Sequence, residues 1–211
     1  MKAFRKHWFD IGGFLSILCI GFIILNFKNF SDYQLILWCS LVSLFWHQLE
    51  EYRFAGTFPG MINTVMFKSN LPDRFPLNTN TAMLINVFLG WLVYFLAAIF
   101  AEKAIWLGIA AILISSGNII AHTFLFNIKG KTFYNAGLAS CWLLFVPIIY
   151  YFFKIIFREN LASNQDWLIG IILGLILNYF GILKMIVWLS NKKTTYIFEQ
   201  RNLLPKDRKS K

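Results

Sequence analysis

The chain has 211 residues, of which 58% are hydrophobic, 18% aromatic and only 14% charged, against roughly 25% charged in a soluble domain. Apolar runs of about 20 residues recur along it, which excludes a soluble globular domain and also a transmembrane barrel, whose segments are short and alternating. The net charge of +10 lies in residues flanking the apolar runs, so it reads as the positive-inside rule and contact with anionic lipid head groups, with no nucleic-acid partner.

The expected fold is all-α: a polytopic membrane helix bundle of about six transmembrane helices. Lys2, Arg5 and Lys6 precede the first span, 8–27. That span is of full length and no small-x-small cleavage site stands out, which argues against a signal peptide. The second span, 33–51, follows Ser31 and Asp32, both candidate N-caps. The loop 52–79 contains Thr57-Phe58-Pro59-Gly60, Leu71-Pro72-Asp73-Arg74 and Phe75-Pro76, which are turn signals. A loop this long, and this aromatic, reads as a lid or re-entrant segment. The remaining spans are 80–100, 104–127, 134–153 and 167–189. Residues 1–190 then form the transmembrane domain, and 191–211 a basic cytoplasmic tail lying on the membrane surface. Cys19, Cys39 and Cys141 sit inside apolar runs, without CxxC spacing or a histidine beside them in sequence, and read as small buried hydrophobes. No internal repeat stands out.

With the N-terminus in the cytoplasm, 15 of the 20 Lys and Arg residues fall on that side. Four (Lys28, Lys103, Lys154 and Arg158) fall on the other, and Lys184 lies within the last span. Both termini are therefore expected to be cytoplasmic, in a multi-pass protein of the cell membrane.

This topology gives meaning to the stretch Trp46-His47-Gln48-Leu49-Glu50-Glu51-Tyr52-Arg53. Charged groups at membrane depth cost several kcal/mol unless paired, hydrated or metal-bound, so such a cluster marks a functional site. His47 shares a helix face with Glu50 (i,i+3) and Glu51 (i,i+4), and Asn118 shares one with His122 (i,i+4). The inside-outside alternation of spans brings Asn86, Asn118, His122 and Asn135 to a similar depth. Two histidines and a carboxylate on facing helices suit zinc or iron. The expected metal ligands are His47, Glu50 and His122, with Glu51 as general base or acid. Arg53 and Arg74 are expected to clamp an anionic head group, and Asn86, Asn118 and Asn135 to support the ligands from behind.

Such a centre fits a metal-dependent membrane enzyme, a hydrolase or an acyl or phosphoryl transferase, acting on a lipid or lipid-linked substrate at the cytoplasmic interface. A proton-coupled transporter using the His and Glu residues as relays is the alternative. It is disfavoured because inverted repeats and midplane-broken helices are not evident. A non-catalytic accessory protein would instead pair Glu50 or Glu51 with Arg53 or Arg74.

His47-Gln48-Leu49-Glu50-Glu51 resembles the motif of the HXXEE-domain membrane proteins. Gly60, Asn86, Asn118-x-x-x-His122, Tyr134-Asn135-x-Gly137-Leu138 and Pro147 follow in the family's order, over about half the chain. Ala136 stands where the family usually has Pro. The resemblance implies a multi-span protein of undefined function, possible enzymatic character, and a common site for these residues.

Overall fold

The computed structural model describes residues 2–208; Lys209 and Lys211 of the basic tail lie outside the described residues. The chain is all-helical, with 77% of it in helix and no strand among the described residues. Six long rods and one short one build it. α1 is Lys2–Asn26, and α2 is Asp32–Leu49 prolonged by a wide π turn, Glu50–Phe54. The short α3 is Phe58–Gly60 continued as Met61–Met66. α4 is Thr79–Ile99, α5 Ile105–Gly130, α6 Leu138–Arg158 and α7 Asn164–Trp188.

The helix starts follow local chemistry. The Ser31 hydroxyl accepts from Gln34 N at 3.1 Å and opens α2; Asn78 caps α4 through the amides of Asn80 and Thr81. Ser163 and Asp166 close a reciprocal capping box on α7, so this helix begins a turn earlier than its apolar run suggests. α6 begins later than expected. Tyr134–Gly137 forms a turn, and Gly137, at φ +108°, stands outside helical geometry.

α1, α4, α5, α6 and α7 are long and apolar enough to cross a membrane. α2 is not among them, because Gln34, His47 and Gln48 interrupt it. Its place explains how it can be so: α2 packs against α1, α4 and α6 at once. A helix surrounded by helices finds partners for polar side chains in the protein, where a lipid-facing one would find none. Its apolar residues Leu37, Trp38, Leu41, Leu44 and Phe45 join Tyr94, Ile112, Phe145 and Phe152 in one core.

α7 lies on α5 through Gly170 and Gly174. A Cβ at Gly170 would meet the Trp106 carbonyl oxygen at 2.7 Å, and one at Gly174 would meet Leu113 Cδ1 at 2.7 Å. This is the small-xxx-small packing by which membrane helices approach closely. Asn178 adds an interhelical bond to the Leu113 carbonyl at 3.2 Å. Gly170→Leu should therefore lower stability by roughly 1–3 kcal/mol or more, read as an earlier thermal unfolding transition in detergent. An unchanged transition would show that this contact does not hold the pair.

The loop after α2 is more ordered than its turn signals imply. Pro59 sits in the first turn of α3, where its missing N–H is harmless. Asn63 is fully buried and pins the following strand of chain, donating to Pro72 O and Leu77 O and accepting from Leu77 N, each at 2.9 Å. The tail does not simply rest on the surface. Phe198, Asn202 and Leu203 are buried. Asn202 donates to Tyr52 O and Gly56 O at 3.1 and 2.9 Å, and Phe198 N donates to Asp73 O at 2.8 Å. Gly60 leaves no room for a Cβ, which would meet Leu204 N at 2.6 Å. The tail is thus a strap across α3 and the loop that follows it.

Candidate metal centre

His47, at the end of α2, and His122, in a π turn of α5 (Ala121–Leu125), are both buried. Their ring centroids are 5.0 Å apart with planes at 81°. Phe145 packs on His47, and Phe58 and Phe126 pack on His122. Between the two rings comes Glu51. Its Oε1 lies 3.5 Å from His47 Nε2 and 3.3 Å from His122 Nε2.

The other nitrogen of each ring is held. His122 Nδ1 is 2.6 Å from Asn135 Oδ1. Asn135 Nδ2 is committed to two acceptors, His122 O and Asn127 Oδ1, both at 2.8 Å, so its oxygen is the atom that faces the ring. His122 Nδ1 therefore carries the proton. His47 Nδ1 is 2.8 Å from Ser140 Oγ. The single hydroxyl proton of Ser140 has carboxylate and carbonyl acceptors, Glu50 Oε2 at 2.5 Å and Gly137 O at 3.1 Å. Ser140 Oγ thus accepts from His47, whose Nδ1 is also protonated. In the neutral imidazoles both Nε2 atoms keep their lone pairs, aimed at one carboxylate oxygen. His47 Nε2 has no hydrogen-bond partner among the described residues.

Two ring lone pairs beside one carboxylate oxygen are satisfied by a cation or a shared proton between them. The two separations from Glu51, 3.5 and 3.3 Å, match those around a tetrahedral ion with bonds of about 2.1 Å, whose ligand atoms lie roughly 3.4 Å apart. Cys141 stands close by, its sulfur 3.9 Å from His47 Nδ1. His47, His122 and Cys141 are all buried, each with a donor atom within 4.8 Å of the others, and this group can hold a metal ion. Cys141 was not legible as part of a site, because the histidines that meet it come from other helices.

Glu50 has a different place from the one expected. Its Oε1 accepts from the Tyr134 hydroxyl at 2.7 Å and Ala139 N at 3.1 Å; its Oε2 accepts from Ser140 N at 2.7 Å and from Ser140 Oγ. Four donors saturate the carboxylate, and it reaches His47 only through Ser140. The Tyr134 phenol, in the turn before α6, has its pKa raised by burial first and by the neighbouring Glu50 second, so it remains a donor in the neutral range. Ser140 was not a candidate from sequence, and Tyr134 entered only through the family resemblance.

A cavity of about 60 Å³ opens beside His47 and Glu51, large enough for a few waters. Asn86 and Asn118 line it, together with Gln48 and apolar residues such as Leu44, Leu89 and Ile114. Asn86 accepts from Gln48 Nε2 at 3.0 Å, and Gln48 Oε1 accepts from the Trp91 indole at 2.7 Å. Asn118 bonds its own helix at Ile114 O, 3.2 Å away. Asn86 and Asn118 thus face the cavity and Asn135 supports His122.

The two arginines are elsewhere. Arg53 pairs with Asp10 at 3.2 Å on a half-exposed face, and Arg74 pairs with its neighbour Asp73 at 2.6 Å. Neither lines the cavity, because Arg53 points off the far side of the α2 extension and Arg74 lies in the loop after α3. The expected clamp on an anionic head group therefore finds no geometric support. Glu50 and Glu51 pair with neither arginine.

No curated protein and no solved structure matches the chain. The family model described as "protein of unknown function with HXXEE motif" matches residues 38–152, which span His47, Glu50, Glu51, His122 and Ser140 alike, and the chain belongs to that family.

Proposed function

We propose that this protein is a metal-dependent membrane enzyme, a hydrolase or an acyl or phosphoryl transferase, acting on a lipid or lipid-linked substrate. The observation that carries the reading is the convergence of His47 Nε2, His122 Nε2 and Glu51 Oε1, with both rings fixed from behind as ligands. A His₂Glu set with an open position is a donor set used by zinc in hydrolytic enzymes, and iron is the second candidate. Glu51 is preferred to Cys141 as third ligand, because the Cys141 sulfur lies near the His47 nitrogen that Ser140 already occupies.

When bound, the metal would supply a Lewis acid and lower the pKa of a water toward neutral. The protein's own groups do the rest. Asn135 and the Ser140–Glu50 pair hold the imidazoles in their tautomers. Glu51, as the third ligand, brings the donor set to the cavity wall, where a water can enter beside it. Phe58 and Phe126 keep bulk water from His122. The mixed wall of the cavity, amides on one side and Leu and Ile on the other, suits a polar head carried on an apolar body.

The reading includes six membrane crossings, with α2 as the sixth inside a sheath of the others, both termini cytoplasmic, and residence in the cell membrane. α3 and the loop after it then act as the cover on the cytoplasmic side. Elemental analysis tests the centre: purified protein should retain about one zinc or iron per chain, and His122→Ala should lose it. Wild-type protein free of metal, with His47→Ala matching wild type in function, would remove the proposal. Turnover is then sought with lipid extracts as substrates.

A further inference from the structure

Across α2 and α4 from the cavity lies a second hollow. It is a groove of about 370 Å³, walled by α1, α2 and α4. Leu15 and Cys19 come from α1, Leu41 and Phe45 from α2, and α4 contributes Trp91 and Phe88 among others. Its wall is almost wholly apolar. Phe88 and Leu92 are 62% and 50% exposed, on a helix long and apolar enough to cross a membrane, so this face meets hydrocarbon. An apolar gap of this size between packed helices forfeits dispersion contacts along its whole lining unless something fills it.

Trp91 lines the groove and is tied to the cavity wall through Gln48. Its ring stands edge-on to Phe45 in the groove, with centroids 5.2 Å apart. Its indole N–H points the other way, to Gln48 on the cavity wall. Behind it, Gly90 lines the cavity without a side chain, and Gly12 lets α1 close on the ring, where a Cβ would be 3.0 Å from Trp91 Cζ2. Trp91 on the groove side, with Gln48 and Gly90 on the cavity side, thus separates a lipid-facing groove from a polar cavity lined by Glu51 and His47.

We propose that the groove between α1, α2 and α4 holds one acyl chain of a bilayer lipid, and that Trp91 is the threshold across which the chain's polar end reaches the cavity. The chain enters sideways from the membrane, so the substrate need not leave the bilayer. The groove's occupancy stands on its own; that the bound lipid is processed rests on the proposed function.

The test is photolabelling of the full-length protein in phosphatidylcholine vesicles doped with a phosphatidylcholine carrying a diazirine on one acyl chain. Peptide mapping should show labelling of segment 87–95 several-fold above that of Leu168 and Leu175 on α7, which are as exposed as Phe88. Val87→Trp, which fills the groove from α4, should lose that excess while keeping its metal. Cys19→Trp fills the same groove from α1 and serves if the first variant does not fold. His122→Ala should lose metal and keep the excess label. Even labelling of all lipid-facing helices, or an excess that survives both filling variants, overturns the groove proposal. Metal-free wild-type protein with the excess intact would overturn the metal centre and leave the groove standing.

Discussion

Glu50→Ala should destabilise the folded protein by roughly 3–5 kcal/mol, whereas Glu51→Ala should leave the fold standing and empty the metal centre. The two residues are neighbours in the same motif, but their surroundings are opposite. Glu50 accepts from four donors, Tyr134 OH, Ala139 N, Ser140 N and Ser140 Oγ. Removing it leaves buried donors without a partner, at about 1–3 kcal/mol each where water cannot replace the lost bond. It also frees Ser140 to turn its proton toward His47. Glu51 faces lone pairs, so its loss orphans no donor. Unfolding curves in detergent, paired with metal content, separate the two variants. Equal destabilisation of both, or metal loss in neither, would contradict these roles. Glu50→Gln should be milder than Glu50→Ala, since one oxygen remains to accept.

Gly137→Ala should both unseat His122 and strain the turn before α6. At φ +108° an alanine costs about 1–3 kcal/mol. The added methyl would also lie 2.7 Å from His122 Nδ1 and 2.9 Å from Nε2. The ring must move, and with it go the bond to Asn135 and the contact with Glu51. The expected outcome is metal loss together with a lowered unfolding transition. Gly21→Ala is the matched control: a Cβ there meets nothing within 4 Å, and this variant should behave as wild type. Retention of metal by Gly137→Ala would show that His122 is not held where the turn places it.

The sequence carries the helical bundle plainly, because long apolar runs have one reading in a membrane. It also carries His47 with Glu51, since an i,i+4 pair needs no tertiary knowledge. His122 and Asn135 follow from alternating topology alone. The division of labour between Glu50 and Glu51 does not. Adjacent residues on a helix point about 100° apart, and which one faces His122 depends on how α2 is rotated in the bundle and on the π turn at 50–54. Similar π turns carry His122 and Cys141, each a local widening of a kind frequent at functional sites and without a sequence signature. Ser140 and Tyr134 could not be found from spacing, because Gly137 sets the turn that aims both at Glu50. The arginines misled for a simpler reason: a charge count puts Arg53 and Arg74 on one side of the membrane but says nothing of Asp10 and Asp73, their partners. The tail misled in the same way. Its seven basic residues hide Phe198 and Leu203, which are buried.

That strap has a consequence in time. Asn202 lies 150 residues beyond the Tyr52 carbonyl it bonds. At roughly 5–20 residues per second of synthesis, the segment over His122 waits about 8–30 s for its fastening. Throughout that interval α4, α5 and α6 are laid down while the chain leading into α3 lacks its bonds to Asn202. Only when Asn202 and Leu203 seat does the strap lie across α3. Order of manufacture thus makes this fastening among the last contacts to form, and a chain stalled before Phe198 would hold its helices without it.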